Sequence, residues 1–294
     1  MASPPATSRP VLRAVLNALA TFLTALKGVH QVLFDAVRWT RLRAVWLKPR
    51  PTDIYIVTAP KAGTTWMQQI VYQLVTRGRG EFQHINQVAP FVDMMALIPH
   101  AERLLDAMPE PRILKSHLLR GVLRPPADCR VIYVTRSSSD SLLSRYQHDA
   151  LVQGQRIDFD RYVQRSLTAN EWGKHLASWW PHRADPNVLH VRYAELVTDR
   201  EACLRRIGAF LGVPVQEEDL PLLMEKTGFD YMKQHDARFD PRLSRHEVLE
   251  PGQGFVFKGG VGRGKQTLTP QQQARLDARD QALWKKLGIS DEVP

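Results

Sequence analysis

Lys61, Gly63, Thr64 and Thr65 follow directly on the β-branched run Ile54-Tyr55-Ile56-Val57-Thr58 and stand directly before a helical stretch that opens near Trp66. A turn of this composition binds an anion. Free amides at a helix start converge on the guest, Gly63 lets the backbone come close, and the Thr64 and Thr65 hydroxyls and the Lys61 ammonium add donors. A nucleotide phosphate is the expected guest. The turn of nucleoside-triphosphate enzymes places Gly-Lys-Ser/Thr as its helix begins, whereas here the lysine precedes the glycine and an indole follows the threonines. The order of residues therefore points to another class of nucleotide.

Several further elements must position such a site. Arg112 to Lys115, Arg130 to Thr135 and Asn187 to Val191 read as short buried strands, each followed by a polar turn and a helical segment. Trp66 to Arg77 reads as a helix with Met67, Ile70, Val71 and Leu74 on one face, Glu201 to Leu211 as another ending at Gly212, and Pro270 to Leu287 as a third, opened by Thr269 and stopped at Gly288. The alternation predicts an α/β fold with a central parallel sheet and crossover helices. Ligands in such sheets bind beyond the carboxyl ends of the strands, and Lys61, His117, Arg136 and Tyr193 all fall just after predicted strands. The segment Phe82 to Met108, with Phe91, Met94, Met95 and Leu97 close together, reads either as core or as the lining of an acceptor pocket.

Pro60-Lys61-Ala62-Gly63-Thr64-Thr65-Trp66 resembles the 5′-phosphosulfate loop of the cytosolic-type sulfotransferases, which take a sulfuryl group from 3′-phosphoadenosine 5′-phosphosulfate (PAPS). Further segments follow in the family's order: Lys115-Ser116-His117, then Arg130 to Arg136 leading through Asp140 to Ser144, then Tyr193, Thr227-Gly228-Phe229, and Phe257-Lys258-Gly259-Gly260-Val261-Gly262. Together they span about residues 53 to 270. The resemblance implies a P-loop-like three-layer fold, central parallel sheet flanked by helices, in which residues 51–294 form the catalytic domain. It also implies roles. Lys61, Ala62, Gly63, Thr64, Thr65 and Trp66 would hold the 5′-phosphosulfate, and Arg136 and Ser144 the 3′-phosphate. Trp66 and Phe229 would sandwich the adenine while Tyr193 and Thr227 bond its edge, and Phe257, Lys258 and Gly259 would close over the phosphate.

Sulfuryl transfer needs a base for the acceptor's proton, opposite cations that steady the leaving oxygen. An imidazole suits the first task, and the resemblance assigns it to His117, with Lys61 on the leaving oxygen and Lys115 beside the transferring group. The other histidines, among them His84, His148, His175 and His235, read as structural. No metal is expected, because two lysines and the loop amides can stand in for the magnesium a kinase uses. Two positions depart from the family. Ala62 stands where serine is usual, and Phe257 stands where most relatives carry an arginine against the 3′-phosphate, which leaves Arg136, Ser144 and either Arg263 or Lys265 to supply that charge.

The chain's 294 residues suffice for one sizeable core. Cys129 and Cys203 lie in or beside apolar segments, which suggests buried free thiols in a reducing compartment rather than a disulfide framework. The formal charge is +10, and residues 9 to 50 hold eight Arg/Lys against the single acid Asp35, so +7 of the excess sits there. A mildly basic remainder, with no recognisable nucleic-acid-binding pattern, argues against a nucleic-acid partner. Residues 1–50 read as a basic amphipathic helical extension, with Val11, Leu12, Val15, Leu16, Leu19, Phe22, Leu23 and Leu26 at helical spacing. Its uncharged run from Ala14 to Leu26 is too short to span a bilayer, and no convincing cleavage site marks it as a secretory signal. It reads as a helix packed on the catalytic domain, or as an interfacial anchor or lid over a greasy acceptor site. Either reading leaves the protein cytoplasmic, the second peripheral to a membrane.

The sequence thus predicts a PAPS-dependent sulfotransferase with a small, hydrophobic or lipid-like hydroxyl or amine acceptor. The rivals are a nucleotide-binding or membrane-surface scaffold without turnover, and an ATP-dependent phosphotransferase. The acceptor's identity and the oligomeric state are not legible.

Overall fold

The computed structural model describes residues 33, 40, 48–95, 100–153, 156–241, 254–256 and 259–289. The amphipathic extension and the site candidates Phe257 and Lys258 lie outside these residues, apart from Leu33, Thr40 and residues 48–50. The chain divides into two units, Met1–Lys48 with Ala96–Leu105, and Pro49–Met95 with Asp106–Pro294. In the first, residues 101–105 begin the short helix Ala101–Asp106. The second carries every element that follows.

Four short strands, β1 (Ile54–Thr58), β2 (Ile113–Ser116), β3 (Arg130–Thr135) and β4 (Val188–Arg192), pair in the order β2-β1-β3-β4, all parallel. All five residues of β1 are buried, as a strand covered on both faces requires. Ile54 and Ile56 of β1 and Ile132 and Val134 of β3 share a cluster with Met67, Ile70, Val71 and Leu74 of the helix Thr64–Val75 and with Leu204 and Ile207 of the helix Arg200–Leu211. The alternate residue of β3, Tyr133, faces the other way, with Trp179 at 6.0 Å and His175 at 6.1 Å between ring centroids. Both of those rings belong to the helix Glu171–Trp179. Helix, sheet and helix form the three layers.

Register fixes where the strands end. Val57 pairs with Ser116, Thr58 with Val134 and Thr135 with Arg192, so the residues that follow each strand emerge along one edge of the sheet. At the opposite end Arg112 and Asp53 tie the entries to β2 and β1 through two bonds of 2.7 Å, both side chains fully buried. A planar fork meeting a carboxylate in this way satisfies both charges where neither meets water. Cys129 and Cys203 are buried free thiols. The predicted helices recur within two residues of expectation, and Thr269 and Gly288 cap the helix Pro270–Leu287 as read. Among the described residues no helix is long and apolar enough to cross a membrane.

Candidate active site

The turn after β1 is built to present amides. Lys61 has φ 67° and Gly63 φ 98°, and Gly63 caps the helix Thr64–Val75 without any side-chain acceptor for its first amides. Those donors are left for a guest. Gly63 is also forced by space, since a Cβ there would stand 2.6 Å from Cδ2 of Tyr193. Ala62 is fully buried, so its methyl group packs beneath the turn. Thr64 is buried, with its hydroxyl 2.7 Å from that of Thr58, while Thr65 is half-buried on the first turn.

His117 follows β2, with Nδ1 2.8 Å from the Thr58 carbonyl and 3.3 Å from its hydroxyl. A carbonyl only accepts, so Nδ1 carries the proton and Nε2 keeps a free lone pair. The backbone of this turn is held by Asp93. One of its carboxylate oxygens accepts from the Ser116 hydroxyl at 2.6 Å, the other from the His117 amide at 2.8 Å. Sequence reading missed Asp93 because it lies more than twenty positions upstream with no motif around it. Desolvation, then the Lys115 ammonium, holds the imidazole well below its usual range.

Two lysines share this edge. Lys61 is brought down to about 7, by burial first and then by the charge of Lys115. Lys115 is brought down to about 8, by burial, with Asp93 opposing. Each ammonium lies over an aromatic face, Lys61 4.6 Å from the centroid of Phe255 and Lys115 4.5 Å from that of Phe91. Phe91 also meets the His117 ring edge-on at 5.0 Å. Phe91 therefore belongs to the site, while its neighbour Met95 is core, Met94 is exposed, and Leu97 lies outside the described residues.

Arg136 follows β3. It donates through Nη1 to the Lys61 carbonyl at 3.2 Å and through Nη2 to the Gly260 carbonyl at 3.0 Å, and it stacks 4.2 Å above the Tyr193 ring. Among the described residues its buried Nε has no partner. Asp140, on the first turn of the helix Ser138–Gln153, accepts instead from the amides of Gly262 at 2.9 Å and Gly264 at 2.7 Å. It thereby fastens the glycine loop to that helix. Ser144 sits half-buried farther along the helix, and His148 one turn beyond it. His148 meets the edge of Phe255 at 5.8 Å, and burial, then the Lys61 charge, brings it down to about 4. It shares the ring on which Lys61 rests, although its sequence context offered no signal.

Tyr193 follows β4 and joins the parts. Besides Gly63 and Arg136 it meets Trp66 edge-on at 5.5 Å. The indole of Trp66 donates to the Thr227 carbonyl at 2.8 Å. Thr227 is fully buried and gives its hydroxyl to the Leu223 carbonyl at 2.7 Å, so it stands behind the indole rather than at the open surface. Phe229 is 36% exposed, and its ring stands 3.3 Å from where a Cβ on Gly259 would be. His84 is bonded to the Asp240 carbonyl at 3.0 Å and His235 to that of Tyr231 at 2.9 Å, while His175 is buried beside Tyr133.

Uncapped amides, three cations and a neutral imidazole with one free nitrogen are suited to moving a charged group from a nucleotide to an acceptor that must lose a proton. A family model described as the sulfotransferase domain matches residues 51–288. Human sulfotransferase 1C2 is 28% identical over 256 residues, covering 81% of this chain and 84% of that protein. Mouse sulfotransferase 1B1 is 28% identical over 270 residues, covering 87% and 90%. Among solved structures, retinol dehydratase in complex with androsterone and the inactive cofactor PAP is similar with a TM-score of 0.71 at 19% identity, covering 84% of this chain and 85% of that one. Mouse sulfotransferase SULT7A1 complexed with PAP gives a TM-score of 0.66 at 22% identity, covering 86% and 90%.

Proposed function

The chain belongs to the cytosolic-type sulfotransferase family, and we propose that it moves a sulfuryl group from PAPS to a hydroxyl or amine of a small hydrophobic acceptor, with His117 as the base. The observation that carries this reading is the His117 clamp. With Nδ1 spent on Thr58, Nε2 is the nitrogen left to take the acceptor's proton, just after the strand that bears Lys115.

PAPS supplies the sulfuryl group and leaves as adenosine 3′,5′-bisphosphate once the acceptor oxygen or nitrogen has bonded to sulfur and the bridging sulfur–oxygen bond has broken. The chain's residues fit that donor. The uncapped amides after Gly63 receive an anion, and the orphan Nε of Arg136 supports a second anionic contact. Lys61 and Lys115 offset charge that develops on the leaving oxygen and the transferring group. Trp66 and the half-open Phe229 offer faces for the adenine, with Thr227 setting the angle of the indole. Phe91 and Phe255 favour an apolar acceptor beside the lysines, as does the likeness to a protein solved with retinol and with androsterone. The basic extension adds peripheral membrane contact to this proposal.

A calorimetric titration with adenosine 3′,5′-bisphosphate, beside 5′-ADP and magnesium-ATP, tests the donor class without knowledge of the acceptor. Tight binding of the bisphosphate alone is expected, followed by PAPS-dependent sulfation in a panel of phenols, alcohols and amines. Preference for magnesium-ATP would overturn the reading.

A further inference from the structure

The loop 259–264 gathers more positive charge than the described carboxylates around it balance. Arg136 donates to the Gly260 carbonyl at 3.0 Å, and Cδ of Arg263 stands 3.8 Å from where a Cβ on the same glycine would be. The Arg136 guanidinium and the Arg263 side-chain stem thus border one residue. Arg263 is half-buried, and among the described residues its guanidinium meets no carboxylate. Asp140 is the acid at hand, and both its oxygens are taken by the amides of Gly262 and Gly264. Nor is Arg136 satisfied, since its buried Nε has no described partner. Burial above all weakens its hold on its proton, Tyr193 and Asp140 act the other way, and the Arg263 charge adds the smallest push in the direction of burial. Like charges held together in this way, with donors to spare, fit a guest carrying two negative charges.

We infer that Arg263 is a second arginine on the anion held by Arg136, and that this anion is the 3′-phosphate of the donor nucleotide. The inference rests on the donor class proposed above. It also answers the departure in the sequence, where Phe257 stands at the position the family gives to an arginine. The charge returns from the far side of the glycine loop, six residues on, at the first position of the helix Arg263–Thr267.

Adenosine 3′,5′-bisphosphate and adenosine 5′-phosphate differ only in the group concerned, so the ratio of their affinities isolates it. The unaltered protein should bind the bisphosphate more tightly. Arg263→Gln should cut that preference about 30-fold while leaving the affinity for adenosine 5′-phosphate unchanged, as expected when one charge-assisted hydrogen bond is removed. Arg263→Lys, which keeps the charge and loses the fork, should fall between, and reads the same interaction should the glutamine variant not fold. A preference left intact in both variants would overturn the role of Arg263 while the donor assignment stood. No preference in the unaltered protein would overturn the donor assignment itself.

Discussion

His117 can accept a proton at neutral pH for two local reasons, a tautomer fixed by the Thr58 carbonyl and a desolvated ring beside Lys115. Because its affinity for a proton lies well below the usual imidazole range, it is already neutral near pH 7, and the pH that matters is that of the lysines. His117→Ala should lower turnover by at least about 100-fold, the usual worth of a positioned base, while adenosine 3′,5′-bisphosphate binding stays nearly constant. Normal sulfation rates in that variant would remove the base assignment. Lys61 at about 7 and Lys115 at about 8 give a second expectation. Both are depressed, so in the free protein their charge is lost as pH rises through these values, and an anion bound beside them draws the proton back. Bisphosphate binding at pH 8 should take up protons, and near pH 6, where both are already charged, the lysines should contribute none. Calorimetry in two buffers of different ionisation enthalpy measures this directly, and zero uptake at pH 8 would refute the burial of the lysine pair. At this scale the sequence is informative wherever the residue lies in a contiguous motif, as Lys61, Gly63, His117 and Arg136 do. Asp93 and His148 reach the site across the fold, and no local pattern announces a contact of that kind.

Elements are legible where chemistry is repetitive and opaque where a single contact decides. Short runs of buried β-branched and aromatic residues mark the strands, and Thr269 with Gly288 marks both ends of the helix Pro270–Leu287. What escapes is how turns are held. Asp140 anchors the glycine loop, its two oxygens in register with the amides of Gly262 and Gly264, a contact that spans more than 120 positions and leaves no local pattern. The same junction explains Gly264. A Cβ there would lie 2.2 Å from the backbone carbon of Ser139, which cannot move without shifting a helix start. Gly264→Ala should therefore lower stability by about 1–3 kcal/mol, the range for overpacking, and weaken nucleotide binding with it, as thermal denaturation and calorimetry together would reveal. The end of β2 and the turn at His117 depend in the same way on Asp93. Asparagine offers one acceptor where the carboxylate offers two, so Asp93→Asn leaves either the Ser116 hydroxyl or the His117 amide unbonded, at about 1–3 kcal/mol. Turnover should fall with bisphosphate affinity retained. An equal loss of both would mean that Asp93 supports the whole edge of the sheet rather than the base.

Charge is the property of the whole molecule that the catalytic fold does not explain. The proposed site needs a few cations, the roles we propose for Lys61, Lys115, Arg136 and Arg263, yet +7 of the +10 excess lies in residues 9 to 50, wholly ahead of the matched domain at 51–288. In that stretch apolar residues recur at helical spacing between basic ones, and Leu33, one of them, is 61% exposed. An acceptor that dissolves in lipid would be met most often at a membrane surface, and a basic amphipathic segment would keep the enzyme there. Each basic residue near an anionic leaflet contributes about 1 kcal/mol, so several together give binding that salt weakens. The full chain should therefore sediment with vesicles containing phosphatidylserine, less so as salt is raised, and little with neutral ones. Removing residues 1–45 should abolish the sedimentation yet leave sulfation of a water-soluble phenol unchanged, since the residues proposed for the chemistry all follow β1. Loss of both would mean that the extension packs against the catalytic domain and supports it, and unchanged sedimentation would place the membrane contact elsewhere on the molecule.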